Sequence, residues 1–216
     1  VLIDAWSLRG EGRQPDADEL AAARARSGFR HFAIDAENCA LSRAVDAAID
    51  AGGFGKGAAL DRVRHAVRDE PGSWLVDFGG QVAVSSNSGD GGWPIAVAHP
   101  EFRDISILEL ELDEGSVATT GGSERDIVMN NDVRLGHVID PQTGQTVSRR
   151  GSVTVWHQDA VVADMLSTAL YVMGSKNALE WSEARDIAAY FADVDTETGV
   201  VVQTATEAFG ARFLGE

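Results

Sequence analysis

A chain of 216 residues with 44% hydrophobic and 24% charged side chains has enough apolar material for a packed core and too little charge bias for a disordered tail. Acidic residues number 34 against 18 basic ones, a formal net charge of −16. That balance argues against duplex nucleic acid, which is bound mainly by Lys and Arg on phosphates, but a small anionic ligand needs only a local positive field.

The single cysteine, Cys39, excludes an intramolecular disulfide and fits no zinc spacing, so it reads as a small buried or edge side chain. No run approaches the roughly 18 apolar residues of a membrane span. The chain opens Val1-Leu2-Ile3-Asp4-Ala5-Trp6, with no initiator Met, signal peptide or lipobox. The compartment, cytoplasmic or exported, stays open on this reading.

Asp16 is expected to cap a helix, with Glu19 three residues on closing a capping box; the Ala-rich run to Arg26 is the helix and Ser27-Gly28 ends it. Two short strands follow, residues 30–34 and 40–43, joined by the polar turn Asp35-Ala36-Glu37-Asn38. A glycine-rich turn, residues 50–57, opens a helix to about Arg68 with Leu60, Val63 and Val67 as its buried stripe. Strands are expected at residues 74–78 and 82–84, and at 93–98 after a Ser/Asn/Gly/Asp turn spanning 85–92. Residues 105–113 alternate, with Leu108, Leu110 and Leu112 on one face and Glu109 and Glu111 on the other, as in a half-exposed antiparallel strand. Residues 116–120 and 152–156 are further strands. Residues 159–174 read as a helix apolar nearly all round, and so buried, and residues 178–184 as a second helix. Residues 187–191 and 200–203 close a hairpin around Asp195-Thr196-Glu197-Thr198-Gly199. The fold class is α+β: mixed, mainly antiparallel sheets with packed helices.

Four segments bear chemistry. Asp164 is a carboxylate in an apolar helix, so if ionised it needs donors or a cation, and Thr168 four residues on shares its face. Such an all-oxygen set suits a hard ion such as Mg²⁺; equally, Asp164 caps a neighbouring loop and Thr168 bonds back to a helix carbonyl. Gly52-Gly53-Phe54-Gly55-Lys56-Gly57 offers backbone N–H groups, a helix N-terminus and the Lys56 charge to a phosphate, or is simply a turn; Gly57 after Lys56 rules out a Walker A loop. His137, before Asp140-Pro141-Gln142-Thr143-Gly144, is either a general base on a rigid loop or a structural hydrogen-bonder. Thr119-Thr120-Gly121-Gly122-Ser123-Glu124-Arg125 contacts phosphate or caps a strand. No GxSxG elbow is present.

In this order, residues 50–61, Phe78-Gly79-Gly80, residues 119–125, 137–144 and 163–169 resemble the ApbE-type FAD:protein FMN transferases, or flavin transferases. The resemblance covers most of the chain. It implies an ApbE-like, T-fold-like architecture and a Mg²⁺-dependent transfer of FMN from FAD to a Thr or Ser hydroxyl of an acceptor flavoprotein, with AMP released. Carried over by position, Asp164, Thr168 and the Gly53 carbonyl resemble the metal ligands. Asp50, Lys56 and the Val138 backbone resemble FAD contacts, and His137 the base that takes the acceptor proton. Thr120 stands where the family usually has Ser, and Gly53 and Gly55 where it often has larger residues or Ala. Family members also carry an N-terminal strand and turn lining the flavin site, so residues 1–216 are expected to form one flavin transferase domain that is short at its N-terminus. Two other functions are kept open: an FAD pyrophosphatase giving FMN and AMP, and a non-catalytic nucleotide-binding or interaction module.

Overall fold

A computed structural model describes residues 1–86, 91–122, 126–129 and 134–215. Along the chain, α1 (Leu2–Ala5) and α2 (Ala17–Ala25) precede β1 (Phe32–Asp35) and β2 (Ala40–Arg43). Then come α3 (Gly55–Val67), β3 (Trp74–Phe78), β4 (Gln81–Ser85), β5 (Trp93–Ala98), β6 (Ser106–Leu112) and β7 (Glu114–Gly121). Four two-residue strands follow: β8 (Ile127–Val128), β9 (Arg134–Leu135), β10 (Val138–Ile139) and β11 (Thr146–Val147). The chain continues with β12 (Gly151–His157), α4 (Ala160–Met173), α5 (Ser175–Glu183), β13 (Ala189–Val194), β14 (Val201–Ala205) and α6 (Glu207–Phe213). Among the described residues every strand pairing is antiparallel, which makes the fold the expected α+β. No helix among the described residues is long and apolar enough to cross a membrane.

The chain divides into two compact units, residues 1–50 with 124–149, and residues 51–123 with 150–216. In the first, α2 starts as its sequence dictates: Asp16 accepts the Glu19 N–H at 2.8 Å while the Glu19 carboxylate takes the Asp16 N–H. The buried Trp6 donates its indole N–H to the Gly144 carbonyl at 2.8 Å, tying the start of the chain to the turn after β10. That turn is held by Asp140, whose carboxylate accepts the Gln142 N–H and the Thr143 hydroxyl, with Gly144 at a left-handed φ of 74°. β1 and β2 form a hairpin whose turn is fixed by Asn38 donating twice to Asp35. Cys39 sits in this turn and is exposed, so it is an edge residue.

The second unit is built on a six-stranded sheet in the order β14-β13-β12-β7-β4-β3. Strand alternation sorts its two faces. Val82, Val84, Val117, Tyr190 and Ala192 share a core with the β5–β6 hairpin (Val97, Leu110, Leu112) and Phe209 of α6. On β4, Ala83 points the other way and packs with Leu60 of α3 and Ala160 of α4.

Several elements differ from expectation. Val63 is 37% exposed, so the buried stripe of α3 rests on Gly57 and Leu60. α4 is not buried all round: Met165 is 45% exposed and Ala169 is exposed, because only the face carrying Ala160, Ala163, Asp164, Ser167 and Leu170 meets protein. α5 begins at Ser175, earlier than the expected start at 178, and β13 begins at Ala189, later than the expected start at 187. α1 and α6 had no sequence expectation; α6 is capped by the Thr206 hydroxyl on the Phe209 N–H. The turn expected at 85–92 lies partly, at 87–90, outside the described residues.

Candidate functional site

Gly53, Lys56, Asp164 and Thr168 belong to the larger unit, and Asp50, His137 and Val138 to the smaller. In the larger unit the site starts from glycine. A Cβ on Gly57 would sit 2.3 Å from the Ala160 carbonyl oxygen and 2.5 Å from Val161 Cα, so only Gly lets α3 cross α4 this closely. At that crossing the Gly57 N–H donates to Asp164 Oδ2 at 2.9 Å. Asp61, one turn further along the same face of α3, accepts the N–H groups of Ala160 (2.8 Å) and Val161 (2.9 Å) with its two oxygens. It supplies the cap that α4 lacks locally, since the Asp159 side chain makes no capping bond. Buried Gln81 adds a third tie, from its Nε2 to the Ala160 carbonyl at 2.8 Å.

These ties hold α4 so that Asp164, only 3% exposed, faces α3. Its Oδ1 has no hydrogen-bond donor among the described residues. Ser167 and Thr168 both donate their hydroxyls to the Asp164 carbonyl, at 3.0 and 3.2 Å, as the structural reading of Thr168 expected. Thr120 of β7 adds a third hydroxyl, its Oγ1 2.9 Å from Ser167 Oγ and 3.2 Å from Thr168 Oγ1. Gly53 lies against the same point: a Cβ there would be 3.8 Å from Thr168 Oγ1. The loop glycine, the buried carboxylate and the threonine hydroxyl are therefore neighbours. Lys56, half-buried at the start of α3, adds positive charge beside Gly57 and has no hydrogen-bond or ion-pair partner among the described residues.

The donor set fits a hard cation. A buried carboxylate with one oxygen lacking a donor, joined by neutral oxygens, suits Mg²⁺, which typically takes one or two carboxylates and completes its shell with water and substrate phosphates. Among the described residues no group of three or more His, Cys, Asp or Glu side chains could hold a metal, so a cation here draws on hydroxyls and carbonyls.

In the smaller unit, His137 follows Gly136, where a Cβ would fall 1.8 Å from the Val147 carbonyl oxygen, so the β10–β11 hairpin closes tightly there. The His137 ring Nδ1 lies 3.1 Å from Asp126 Oδ1, and the His137 backbone N–H donates to that same oxygen at 3.2 Å. Val138 pairs with Val147 in the hairpin. Asp50 is ion-paired with Arg9 at 2.5 Å on a partly exposed surface. The segment 119–125 is described only to residue 122; Ser123, Glu124 and Arg125 lie outside the described residues.

Sequence reading missed three members of these clusters. Asp61 was seen only as part of a motif, and Ser167 has no signal beyond standing next to Thr168. Asp126 was legible in principle, because reading Ile127-Val128 and Arg134-Leu135 as a hairpin brings Asp126 near Gly136 and His137.

An antiparallel α+β chain with a buried oxygen cluster at a helix crossing is the class the geometry defines. Residues 1–191 match the sequence pattern of the ApbE family, and the chain belongs to that family. Among curated proteins it is similar to the FAD:protein FMN transferase of Vibrio cholerae, 31% identical over 194 residues covering 86% of this chain and 57% of that one. The FAD:protein FMN transferase of Klebsiella pneumoniae is likewise 31% identical, over 88% of this chain and 57% of its own length. Among solved structures, the flavinyl transferase ApbE of Pseudomonas stutzeri superposes with a TM-score of 0.83 at 32% identity, over 98% of this chain and 66% of that one. The ApbE protein of Thermotoga maritima gives 0.84 at 30% identity. The chain thus spans just over half the length of these two curated relatives.

Proposed function

We propose that this chain transfers FMN from FAD to a Thr or Ser hydroxyl of an acceptor flavoprotein in a Mg²⁺-dependent reaction that releases AMP. The observation that carries the reading is Asp164: buried, with Oδ2 satisfied by the Gly57 N–H, Oδ1 without a donor, and the Thr168 hydroxyl and Gly53 beside it. Family membership and the names of the relatives add support.

In this reading Asp164, Thr168 and the Gly53 carbonyl hold the cation. Bound there, Mg²⁺ supplies Lewis-acid neutralisation of charge on the pyrophosphate. Lys56 and the N–H groups opening α3 bind the phosphates, and Asp50 and the Val138 backbone contribute to seating FAD. His137 takes the proton of the acceptor hydroxyl, a weak nucleophile at neutral pH. The hydroxyl oxygen forms a bond to the FMN phosphorus as the bond from that phosphorus to the AMP oxygen breaks, and the electron pair leaves with AMP.

The test incubates the chain with FAD, Mg²⁺ and a flavoprotein acceptor, following AMP by chromatography and covalent flavin by intact mass. AMP with a flavinylated acceptor is the expected result. AMP with free FMN makes the chain a pyrophosphatase instead, and FAD bound without any AMP makes it a non-catalytic module; either overturns transfer.

A further inference from the structure

Among the described residues, Asp126 is a buried carboxylate in direct contact with His137, the residue read above as the base. Its side chain is 2% exposed, while that of His137 is 25% exposed. Oδ1 of Asp126 accepts the His137 backbone N–H at 3.2 Å and lies 3.1 Å from the ring Nδ1. Oδ1 already accepts the backbone N–H, and an oxygen that accepts from the ring as well places the proton of that second bond on Nδ1. Which nitrogen of a neutral imidazole keeps its lone pair is set by the bond the other makes. A proton on Nδ1, shared with Asp126, leaves Nε2 with the lone pair.

The placement comes from the backbone. β8 and β9 pair with Ile127 opposite Leu135 and Val128 opposite Arg134, which sets Asp126, just before β8, near Gly136 and His137, just after β9. Gly136 has no room for a side chain, which fixes the chain where His137 begins. The imidazole is thereby held at both its backbone and its ring by one buried oxygen.

We propose that Asp126 is a positioning residue for proton transfer: it holds His137 in the Nδ1–H tautomer so that Nε2 receives the proton of the acceptor hydroxyl. The imidazolium formed in that step keeps Nδ1–H on a carboxylate, which stabilises its charge. The proton passes from the hydroxyl oxygen to Nε2 and is released from the imidazolium to solvent after AMP departs; no bond at Asp126 is made or broken. This inference rests on the reading of His137 as the base, and the experiment separates the two.

The full chain labelled with ¹⁵N-histidine, with the His137 resonances assigned by comparison with His137→Gln, reports the tautomer directly, and FAD-dependent AMP release is measured in parallel. The expected result is a protonated Nδ1 and an unprotonated Nε2 in the neutral ring. Asp126→Asn, whose amide can donate to Nδ1, should shift the proton to Nε2. It should also lower kcat on the order of 10²- to 10⁴-fold with FAD affinity changed less than threefold, and Asp126→Glu should restore part of both. An Nε2–H tautomer in the unmodified protein, or an Asp126→Asn variant with unchanged tautomer, overturns the positioning role. The expected tautomers with kcat unchanged in Asp126→Asn overturn its bearing on catalysis. The expected tautomers in a wild-type chain that releases no AMP sink the transfer reading and with it the base role, while the Asp126–His137 contact stands.

Discussion

The two oxygens of Asp164 stand in different surroundings. Oδ2 accepts the Gly57 N–H and so helps to close the helix crossing, while Oδ1 has no donor among the described residues and is the atom that the proposed reading gives to a cation. The structural reading of this residue is met at Oδ2, and the proposed ligand role rests on Oδ1. Asp164→Asn separates them, because the amide oxygen can still take the Gly57 N–H while the charge is gone. The variant should keep its melting temperature in chelator to within a few degrees and lose Mg²⁺-dependent AMP release at least 100-fold. A variant that turned over normally would remove Asp164 as a ligand. At this scale helical spacing found Asp164 and Thr168 but not Thr120 or Ser167, since hydroxyl contacts between β7 and α4 span 47 and 48 residues of sequence. Polarity marks a residue for a site, but only the packed backbone selects its partners.

α4 is set in place by another helix rather than by its own sequence. Asp159 stands at its N-cap position without a side-chain bond, and Asp61 of α3 satisfies two of the orphan N–H groups instead. Asp61→Ala should cost about 1–2 kcal/mol, the usual loss for a cap, read as a lower urea midpoint with an unchanged slope. Cation affinity, measured by Mn²⁺ titration below the unfolding range, should fall with it, because Asp164 lies one turn beyond the capped residues. The legible elements were those whose signals are local. The Asp16–Glu19 capping box, the alternation of β6 and the two Asp-x-x-Thr-Gly turns all form from neighbours in sequence. At 140–144 and 195–199 those turns use the same bonds: the aspartate accepts from N–H groups and from the threonine hydroxyl, and the glycine, at φ 74° and 71°, returns its N–H to the aspartate carbonyl. The exposure of Val63 was not legible, because period 3.6 gives a face but not its width.

Across the whole molecule, pH acts on different groups at its two extremes. Asp140 is partly buried, which pushes its carboxyl up, but the Gln142 N–H, the Thr143 hydroxyl and N–H, and the Arg24 charge together hold it below the ordinary range. Asp195 is lowered by the Thr198 N–H and hydroxyl and the Glu197 N–H. Both carboxyls bind protons less readily folded than unfolded. The stability they contribute is present above the unfolded value of about 3.9 and is lost as pH falls through their lower folded values. Tyr190 runs the other way: burial pushes its phenol up to about 12, its hydroxyl donating to Gln203 Oε1 at 2.7 Å. Its contribution is complete below roughly 10, the unfolded value, and is lost as pH climbs toward the folded one. Urea titrations should therefore show stability falling below about pH 4 and above about pH 10; Asp140→Asn and Asp195→Asn should each flatten the acid limb, and Tyr190→Phe the alkaline one. A Tyr190→Phe variant with an unchanged alkaline limb would show that another group governs it. The net charge of −16 takes on a local meaning here: an anionic substrate needs positive field at one point, and in the proposed reading Lys56 and a cation on Asp164 supply it. By itself the sequence determined the α+β class, the caps and turns, and an ordered set of motifs that leads to the ApbE family, because each depends on residues a few positions apart. The tertiary structure alone decided that Asp61 caps α4, that Thr120 and Ser167 join Thr168, and that Asp126 holds His137, because those contacts depend on where separate strands and helices meet and leave no periodic trace in the chain.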